Sequence, residues 1–207
     1  LQSVGTGTAT LSWTGTAASY QVAYGTTPTL ADMDTLTVTG NTATLTGLAH
    51  TTTHYAYVRS LCNDEQSAWS TVLSFRTACG PIALPYSYGF EDATASGSNG
   101  AINECWHKGS NTPNSYNYPY PYSYYSHDGY YAMYMVAEAS YYSYLVLPQF
   151  DNPVNRTQLT FWGRAAGNSY ASTVEIGVVT NPSDITTFQP YETFTIPNTG
   201  VLQWHCD

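Results

Sequence analysis

The sequence has few charged side chains, and most of those it has are acidic. Only 9% of its 207 residues are Asp, Glu, Lys or Arg, against roughly 25% in an average soluble domain. Five Lys and Arg stand against 14 Asp and Glu, so the formal net charge is −9. Five scattered cations cannot form the basic stripe that neutralises phosphates, which excludes a nucleic-acid binder, and the same charge argues against docking on an anionic membrane.

The sequence also lacks long apolar runs and helix signals. No stretch has the 18 or so consecutive apolar residues that indicate a membrane-spanning helix, so we expect no membrane insertion. Apolar residues do not recur with helical spacing among good helix formers. Hydrophobic residues nevertheless make up 43% of the chain, which is enough for a core. The sequence therefore predicts an all-β protein.

Cysteine is scarce, and its spacing argues against a zinc site. The four cysteines are Cys62, Cys79, Cys105 and Cys206, and none stands in a CxxC pattern. An even number in a Lys-poor chain rich in Thr and Tyr favours disulfides in an oxidising, extracellular setting, and four reduced thiols are the alternative. The chain begins at Leu1 without a signal-peptide pattern, so we expect a mature or excised piece of a longer secreted or cell-surface protein.

Strand patterns fill residues 1–77. Apolar residues alternate with polar ones from Ala9 to Trp13, which puts Ala9, Leu11 and Trp13 on one face. Four more segments have strand character: residues 20–25, 42–48, 54–61 and 71–76. Short strands separated by Gly, Pro and Asn predict a small antiparallel sandwich.

Six segments of this region follow one another in a familiar order. They are Leu11-Ser12-Trp13, Tyr20 to Gly25, Gly47-Leu48, Tyr57-Val58-Arg59, Ser67-Ala68-Trp69-Ser70 and Phe75-Arg76-Thr77. Together they resemble a fibronectin type III domain of a secreted bacterial protein, which implies a spacer or a protein-binding module. The usual corner tyrosine of such domains falls on His54, with Tyr55 beside it. Either His54 makes the corner hydrogen bond or the alignment shifts by one residue.

A short linker separates this region from the rest of the chain. Residues 78–85 contain Gly80-Pro81 and Pro85, which interrupt regular structure. We therefore predict a domain over 1–77, a linker over 78–85 and a second domain over 86–207. Cys62 ends the fourth predicted strand and Cys79 follows the fifth, and since these strands are neighbours in an antiparallel sandwich, a Cys62–Cys79 disulfide is predicted. The sequence does not decide how Cys105 and Cys206 pair.

Residues 86–207 also carry strand patterns, here separated by long loops rich in Gly, Asn and Pro. The predicted strands are 86–91, one starting at 105, 130–136, 144–147, 158–164, 174–180 and 201–206. This alternation of strands and long loops predicts a jelly-roll sandwich.

A second ordered series of segments lies in this region. It consists of Pro81 to Glu91, Cys105-Trp106, His127-Asp128-Gly129-Tyr130, Leu145-Val146-Leu147-Pro148, Leu159-Thr160-Phe161-Trp162, Val174 to Val178, Asn181-Pro182 and Thr187-Phe188. The series resembles the cleaved-adhesin (gingipain adhesin-like, MAM-like) jelly rolls of Bacteroidetes surface proteins. The resemblance implies further strands after Trp204, so we expect an incomplete, C-terminally truncated jelly roll; a permuted or minimal domain is the alternative.

The same resemblance implies a structural calcium ion. Jelly rolls of this kind often hold Ca²⁺ near the Phe-Glu strand and a later Asp, which correspond here to Glu91 and Asp128. Asp92, Asn103 and Glu104 add oxygen atoms nearby in the sequence, and calcium takes six to eight oxygen ligands. A solvated acidic surface is the alternative.

No catalytic pattern is present. None of the five histidines stands in a GxSxG, HExxH or Cys-His context. The carboxylates of the second region are scattered and show no pair of the kind that a glycosidase needs. We therefore predict that the chain is not an enzyme.

A tyrosine run is the strongest candidate for contact with a ligand. Its members are Tyr116, Tyr118, Tyr120, Tyr122 and Tyr124, interrupted by Pro119 and Pro121. The period of two puts the rings on one face of an extended chain, and the prolines stiffen it. Tyrosine offers a large apolar face and a hydroxyl at little entropic cost, and its ring can stack on a sugar. The alternative is a loop that folds its rings back over the sandwich.

The sequence thus predicts a non-catalytic, secreted or cell-surface adhesion module that recognises a glycan or a host or matrix protein. Two alternatives are an accessory carbohydrate-binding region of a larger secreted hydrolase and a structural spacer of a surface fibre. Asp34-Thr35-Leu36 resembles the short O-glycosylation sequon of Bacteroidetes, with Thr35 as the acceptor.

Overall fold

The structure, a computed structural model, describes residues 1–62, 65–112, 118–138, 140–166, 172–197 and 201–206, the last range by its backbone alone. Regular structure in these ranges consists of strands and single 3₁₀ turns, so the predicted all-β fold is confirmed. No helix among the described residues is long and apolar enough to cross a membrane. The chain divides into two compact units, Leu1–Gly80 and Pro81–Asp207, and the division falls within the predicted linker.

The first unit is a sandwich of two antiparallel sheets. Its strands are β1 (Ser3–Val4), β2 (Thr8–Ser12), β3 (Ser19–Gly25), β4 (Asp34–Thr39), β5 (Thr42–Thr46), β6 (Thr53–Cys62), β7 (Glu65–Gln66) and β8 (Leu73–Arg76). One sheet has the order β1-β2-β5, and the other has the order β4-β3-β6, with β7 and β8 both pairing with β6. The chain crosses between the sheets after β2, β4 and β5, which gives a fibronectin type III-like strand order.

The core of this unit lies between the two sheets, as the alternation in the sequence predicts. The inward side chains of β2 and β5 are buried, and those of β3, β6 and β8 pack against them. The fully buried members are Ala9, Leu11, Val22, Ala43, Leu45, Ala56 and Phe75. Trp13 packs against the edge of this cluster, where its ring meets that of Tyr20 at 5.3 Å.

The structure decides which residue takes the place of the usual corner tyrosine: it is His54. His54 is 3% exposed, and its Nε2 lies 3.0 Å from the carbonyl oxygen of Ala49, five residues upstream. Its ring also stacks on Phe75, with centroids 5.7 Å apart. His54 therefore makes the hydrogen bond that a tyrosine hydroxyl makes in the usual corner.

The second unit contains several small antiparallel sheets. Its strands are β9 (His107–Ser110), β10 (Tyr120–Tyr122), β11 (Ala132–Tyr134), β12 (Ala137–Glu138), β13 (Tyr141–Val146), β14 (Leu159–Arg164), β15 (Ser172–Val179), β16 (Phe188–Ile196) and β17 (Val201–Cys206). The sheet orders are β12-β13-β9, β10-β11, β14-β17 and β15-β16. The jelly-roll arrangement of these strands stays a prediction.

The predicted strand over residues 86–91 is wrong. The segment forms no ladder with a neighbouring strand, and Phe90 near its end has a positive φ of 64°. Its alternating aromatic residues pack against Trp106 instead. The ring of Tyr88 stacks on that of Trp106 with centroids 5.0 Å apart, and the Trp106 indole N–H donates to the Tyr86 hydroxyl over 3.0 Å. Residues with a period of two can thus form an aromatic cluster without a neighbouring strand.

Candidate functional site

Strand β10 presents tyrosine on one face and proline on the other. Pro119 and Pro121 are fully buried, whereas Tyr120 and Tyr122 are partly exposed. Proline lacks a backbone N–H, so it is tolerated in such a strand only where no ladder bond is needed. The carbonyl oxygen of Pro121 accepts a hydrogen bond from the Gly97 N–H at 2.7 Å, which anchors the strand on its other side.

The tyrosine rings of β10 pack against one another and against β11. Tyr120 pairs directly with Tyr134 across the ladder, and their rings stack at 5.1 Å with an interplanar angle of 22°. The ring of Tyr122 meets that of Tyr134 edge-on, with centroids 5.5 Å apart. It also meets the ring of Tyr124 at a tilt, with centroids 5.3 Å apart. The structure therefore joins the predicted ligand-contact residues Tyr120, Tyr122 and Tyr124 in one continuous cluster.

Tyr118, which precedes β10 in the predicted run, lies beside a cation. Tyr118 is near Lys108, whose ammonium is 5.7 Å from the centre of the tyrosine ring. Lys108 also donates to the Gly100 carbonyl at 2.9 Å, and partial burial lowers its pKa. Tyr116 lies outside the described residues.

Two further contacts extend the tyrosine cluster toward β14. The Arg164 guanidinium lies over the ring of Tyr125, 4.2 Å from its centre. Trp162 stacks on His127 with centroids 3.7 Å apart and an interplanar angle of 12°. Since Trp162 and Arg164 are two residues apart on one strand, they project from the same face of it.

These residues form what we call the aromatic surface. Its members are Tyr122, Tyr124, Tyr125, His127, Trp162 and Arg164. Three of the rings are well exposed: Tyr124 is 65%, Tyr125 62% and Trp162 45% accessible to solvent. Several exposed aromatic rings beside an arginine are typical of binding surfaces rather than of ordinary solvent-facing sheets.

Glu91 supports the loop that carries His127. Its carboxylate accepts backbone hydrogen bonds from Tyr130 and Tyr131, each at 3.0 Å. Gly129 has a φ of 74°, a conformation that favours glycine, and a Cβ there would displace the Glu91 carboxylate from its present position. Glu91 thereby fixes the backbone two to four residues after His127.

The predicted calcium site at Glu91 and Asp128 stays a prediction. The oxygens of Glu91 already accept amide hydrogens, and Asp128 lies 2.6 Å from His127 Nδ1, with its side chain exposed. Within the part of the chain that the structure describes, no group of three or more His, Cys, Asp or Glu side chains is placed to hold a metal ion. A calcium ion at Glu91 would therefore have to compete with the amides of Tyr130 and Tyr131.

The predicted Cys62–Cys79 disulfide is wrong. Cys79 is bonded to Cys105, and Cys62 is a free, exposed thiol at the end of β6. Strands β6 and β8 are neighbours, as the prediction assumed, but they pair with Arg76 opposite Thr53. The chain therefore leaves β8 beside the start of β6, whereas Cys62 lies at the other end of that strand. Cys206 belongs to the range described by its backbone alone.

O-glycosylation of Thr35 stays a prediction; it requires an accessible hydroxyl at this position. Thr35 lies on β4, an edge strand of its sheet, and its side chain is exposed.

Tyr88 is the most perturbed titratable group near Glu91. Burial raises its pKa first, and the hydrogen bond that its hydroxyl donates to the Asp92 carboxylate raises it further. The hydroxyl also accepts the Asn103 N–H at 2.9 Å. This arrangement joins the segment after residue 86 to the turn before β9 and has a structural role.

Comparison with known proteins identifies no family for this chain. The sequence matches no protein-family profile and no curated protein. One similar solved structure is the solution structure of the third fibronectin III domain of the human KIAA0343 protein. It is 20% identical, the match covers 41% of this chain and 80% of that chain, and the TM-score is 0.33. The fold of the first unit therefore rests on its own strand order.

Sequence reasoning missed four of the six members of the aromatic surface. Tyr125, His127, Trp162 and Arg164 were not among the predicted site residues. A signal for two of them exists in Leu159 to Arg164, where Phe161 occupies the inward face. Trp162 and Arg164 then fall on the opposite, outward face, and an outward Trp two residues from an Arg is unusual enough to mark a site.

Proposed function

We propose that this chain is a non-catalytic binding module that acts outside the cell by surface contact with a glycan or an extracellular protein. The observation that carries this proposal is the aromatic surface, in which exposed Tyr and Trp rings accompany Arg164, whose guanidinium stacks on Tyr125. Rings of this kind give large contact area with few rotatable bonds, so little conformational entropy is lost on binding.

The support beneath these rings favours recognition without rearrangement. Buried Pro119 and Pro121 hold β10, and Glu91 holds the loop after His127. A preorganised surface loses less free energy on ordering, so more of the contact energy appears as affinity.

The disulfide supports an extracellular location. Structural disulfides persist in secreted and surface proteins and are rare in the reducing cytosol. The Cys79–Cys105 bond is therefore in keeping with a secreted or cell-surface protein.

The test is an array of glycans and matrix proteins probed with the full chain and with a variant of its surface. Tyr124→Ala combined with Tyr125→Asn removes two exposed rings, and Asn tolerates the positive φ of 74° at position 125. We expect saturable binding that the double variant loses while its melting temperature stays near that of the wild type.

Tyr191→Ala is the matched control, because Tyr191 is 71% exposed on β16 and is not a member of the aromatic surface. Binding that survives the double variant, or that Tyr191→Ala also removes, contradicts the proposal. Absence of binding to every probe favours a spacer instead.

A further inference from the structure

The outward face of β14 combines a flat ring with a cation at a fixed spacing. Trp162 and Arg164 are two residues apart, which sets their Cα atoms about 7 Å apart along an extended strand. The ladder to β17 is regular from Leu159 to Arg164, so the spacing is held by backbone hydrogen bonds on that side. These two side chains are therefore presented together and in fixed order.

His127 orients the indole ring of Trp162. The imidazole covers one ring face at 3.7 Å and is almost parallel to it. Trp162 remains 45% exposed, so the rest of its surface is open to solvent. Indole is the largest aromatic face that a protein offers, and the ring held here is suited to stacking against a flat, weakly polar partner such as the C–H face of a pyranose.

The N–H donors of Arg164 are available to a ligand. Among the described residues its contact is with the face of Tyr125, and it forms no ion pair there. Stacking on an aromatic ring leaves the N–H donors at the edge of the guanidinium free to point away from the ring. A guanidinium presents these donors as a fork that matches the two oxygens of a carboxylate or sulfate.

The acidic side chain next to His127 on its loop already has a partner. Asp128 points its carboxylate at His127 Nδ1, 2.6 Å away. The chain as a whole carries a net charge of −9, which repels an acidic ligand at long range, so the attraction has to come from Arg164 at short range. Local charge complementarity at this point therefore favours an anionic group on the ligand.

We infer that the aromatic surface binds an acidic saccharide, whose pyranose ring stacks on Trp162 while its carboxylate or sulfate pairs with Arg164. This inference rests on the proposed function and names the ligand class for the same surface. Ligands of this class have an oxyanion, either a carboxylate or a sulfate, attached to a sugar ring. This feature distinguishes them from neutral glycans and from protein partners.

The test is calorimetric titration of the full chain with three oligosaccharides of equal length: a hyaluronan hexasaccharide, a chondroitin sulfate hexasaccharide and cellohexaose. The first carries carboxylates, the second carboxylates and sulfates, and the third no charge. We expect the two acidic probes to bind and cellohexaose to bind at least about tenfold more weakly, since a charge-assisted pair of hydrogen bonds is lost. Stronger binding of the chondroitin sulfate would identify sulfate as the preferred oxyanion.

Two variants assign the roles of the residues. Arg164→Gln should weaken the acidic probes by about 10–100-fold and leave cellohexaose unchanged. Arg156→Gln is the charge-matched control, because Arg156 is exposed in a 3₁₀ turn before β14 and should leave all three affinities unchanged. Trp162→Ala should weaken all three probes, and melting curves of each variant report whether it is folded.

If Trp162→Ala does not fold, the indole N–H resonance of Trp162 in the wild type, assigned with Trp162→Phe, should shift on adding the hyaluronan probe. Equal affinity for charged and uncharged probes, or an Arg164→Gln variant that binds like the wild type, overturns the inference. Saturable binding of a protein in the array, with none of the three saccharides bound, also overturns it and leaves the proposed function standing. Failure of the array and of all three saccharides contradicts both.

Discussion

Substitutions of His54 can separate two contributions to the stability of the first unit: the hydrogen bond of its side chain and the packing of its ring. The side chain is buried, donates through Nε2 to the Ala49 carbonyl and stacks on Phe75. That carbonyl also accepts the Thr77 hydroxyl at 2.7 Å, so it keeps a donor when the imidazole is removed. The cost of losing the hydrogen bond alone is therefore the net value of one bond, about 1 kcal/mol, without a penalty for an orphaned acceptor.

Three substitutions should then form a graded series. His54→Phe keeps an aromatic ring on Phe75 and should lower the free energy of unfolding of the first unit by about 1 kcal/mol. His54→Ala also removes a buried ring and leaves a cavity, so a loss of about 3 kcal/mol is expected. His54→Tyr restores a hydroxyl donor, and small shifts that fit the longer side chain should cost less than about 1.5 kcal/mol.

Amide hydrogen exchange of the full chain, read by mass spectrometry on peptides from β2, β3 and β5, measures these free energies for the first unit. Peptides from β15 and β16 serve as an internal control and should not change. An opening free energy for His54→Phe equal to that of the wild type refutes the hydrogen-bond argument. A loss in His54→Ala no greater than in His54→Phe refutes the packing argument.

Three further predictions concern the second unit. Cys105→Ser opens a covalent loop of about 27 residues and should lower stability by about 3.5 kcal/mol on the chain-entropy estimate, seen by calorimetry; an unchanged melting temperature contradicts this. Burial and the hydrogen bond to Asp92 raise the pKa of Tyr88, so its neutral form is favoured in the folded state. Stability should then be unaffected by this group below about pH 10, where the unfolded tyrosine begins to ionise, and should fall above it; Tyr88→Phe should flatten that fall in urea titrations at pH 9 to 11. If Glu91 binds calcium, the wild type should melt at a higher temperature in calcium than in EDTA and Glu91→Gln should not, whereas an equal rise in both proteins argues against a site at Glu91.

Much of the strand content could be predicted from the sequence, because alternation is a local property. The predicted strand over residues 201–206 matches β17, and the one over 158–164 differs from β14 by one residue. Strand β16 was missed, because Pro190 interrupts its pattern next to a β-bulge, in which Tyr191 is the extra residue between the pairs Ile176–Glu192 and Gly177–Pro190. A bulge is a property of two paired strands and leaves no mark in one of them alone.

The site was harder to predict because it joins distant parts of the chain. Local periodicity was enough to place Tyr120 and Tyr122 on one face of a strand. It cannot show that Arg164 reaches Tyr125 or that Trp162 meets His127, since those pairs depend on how strands and loops pack in three dimensions. For the same reason the sequence could not pair Cys79 with Cys105.

The alternation of buried proline and outward tyrosine in β10 has an evolutionary consequence. Pro119 and Pro121 fill interior space and should resist substitution, whereas Tyr122 and Tyr124 face outward and touch chiefly other rings of the surface. Mutational tolerance along this segment should therefore itself have a period of two. A lineage could exchange one ligand for another by drifting at every second position, while the intervening prolines keep the strand folded.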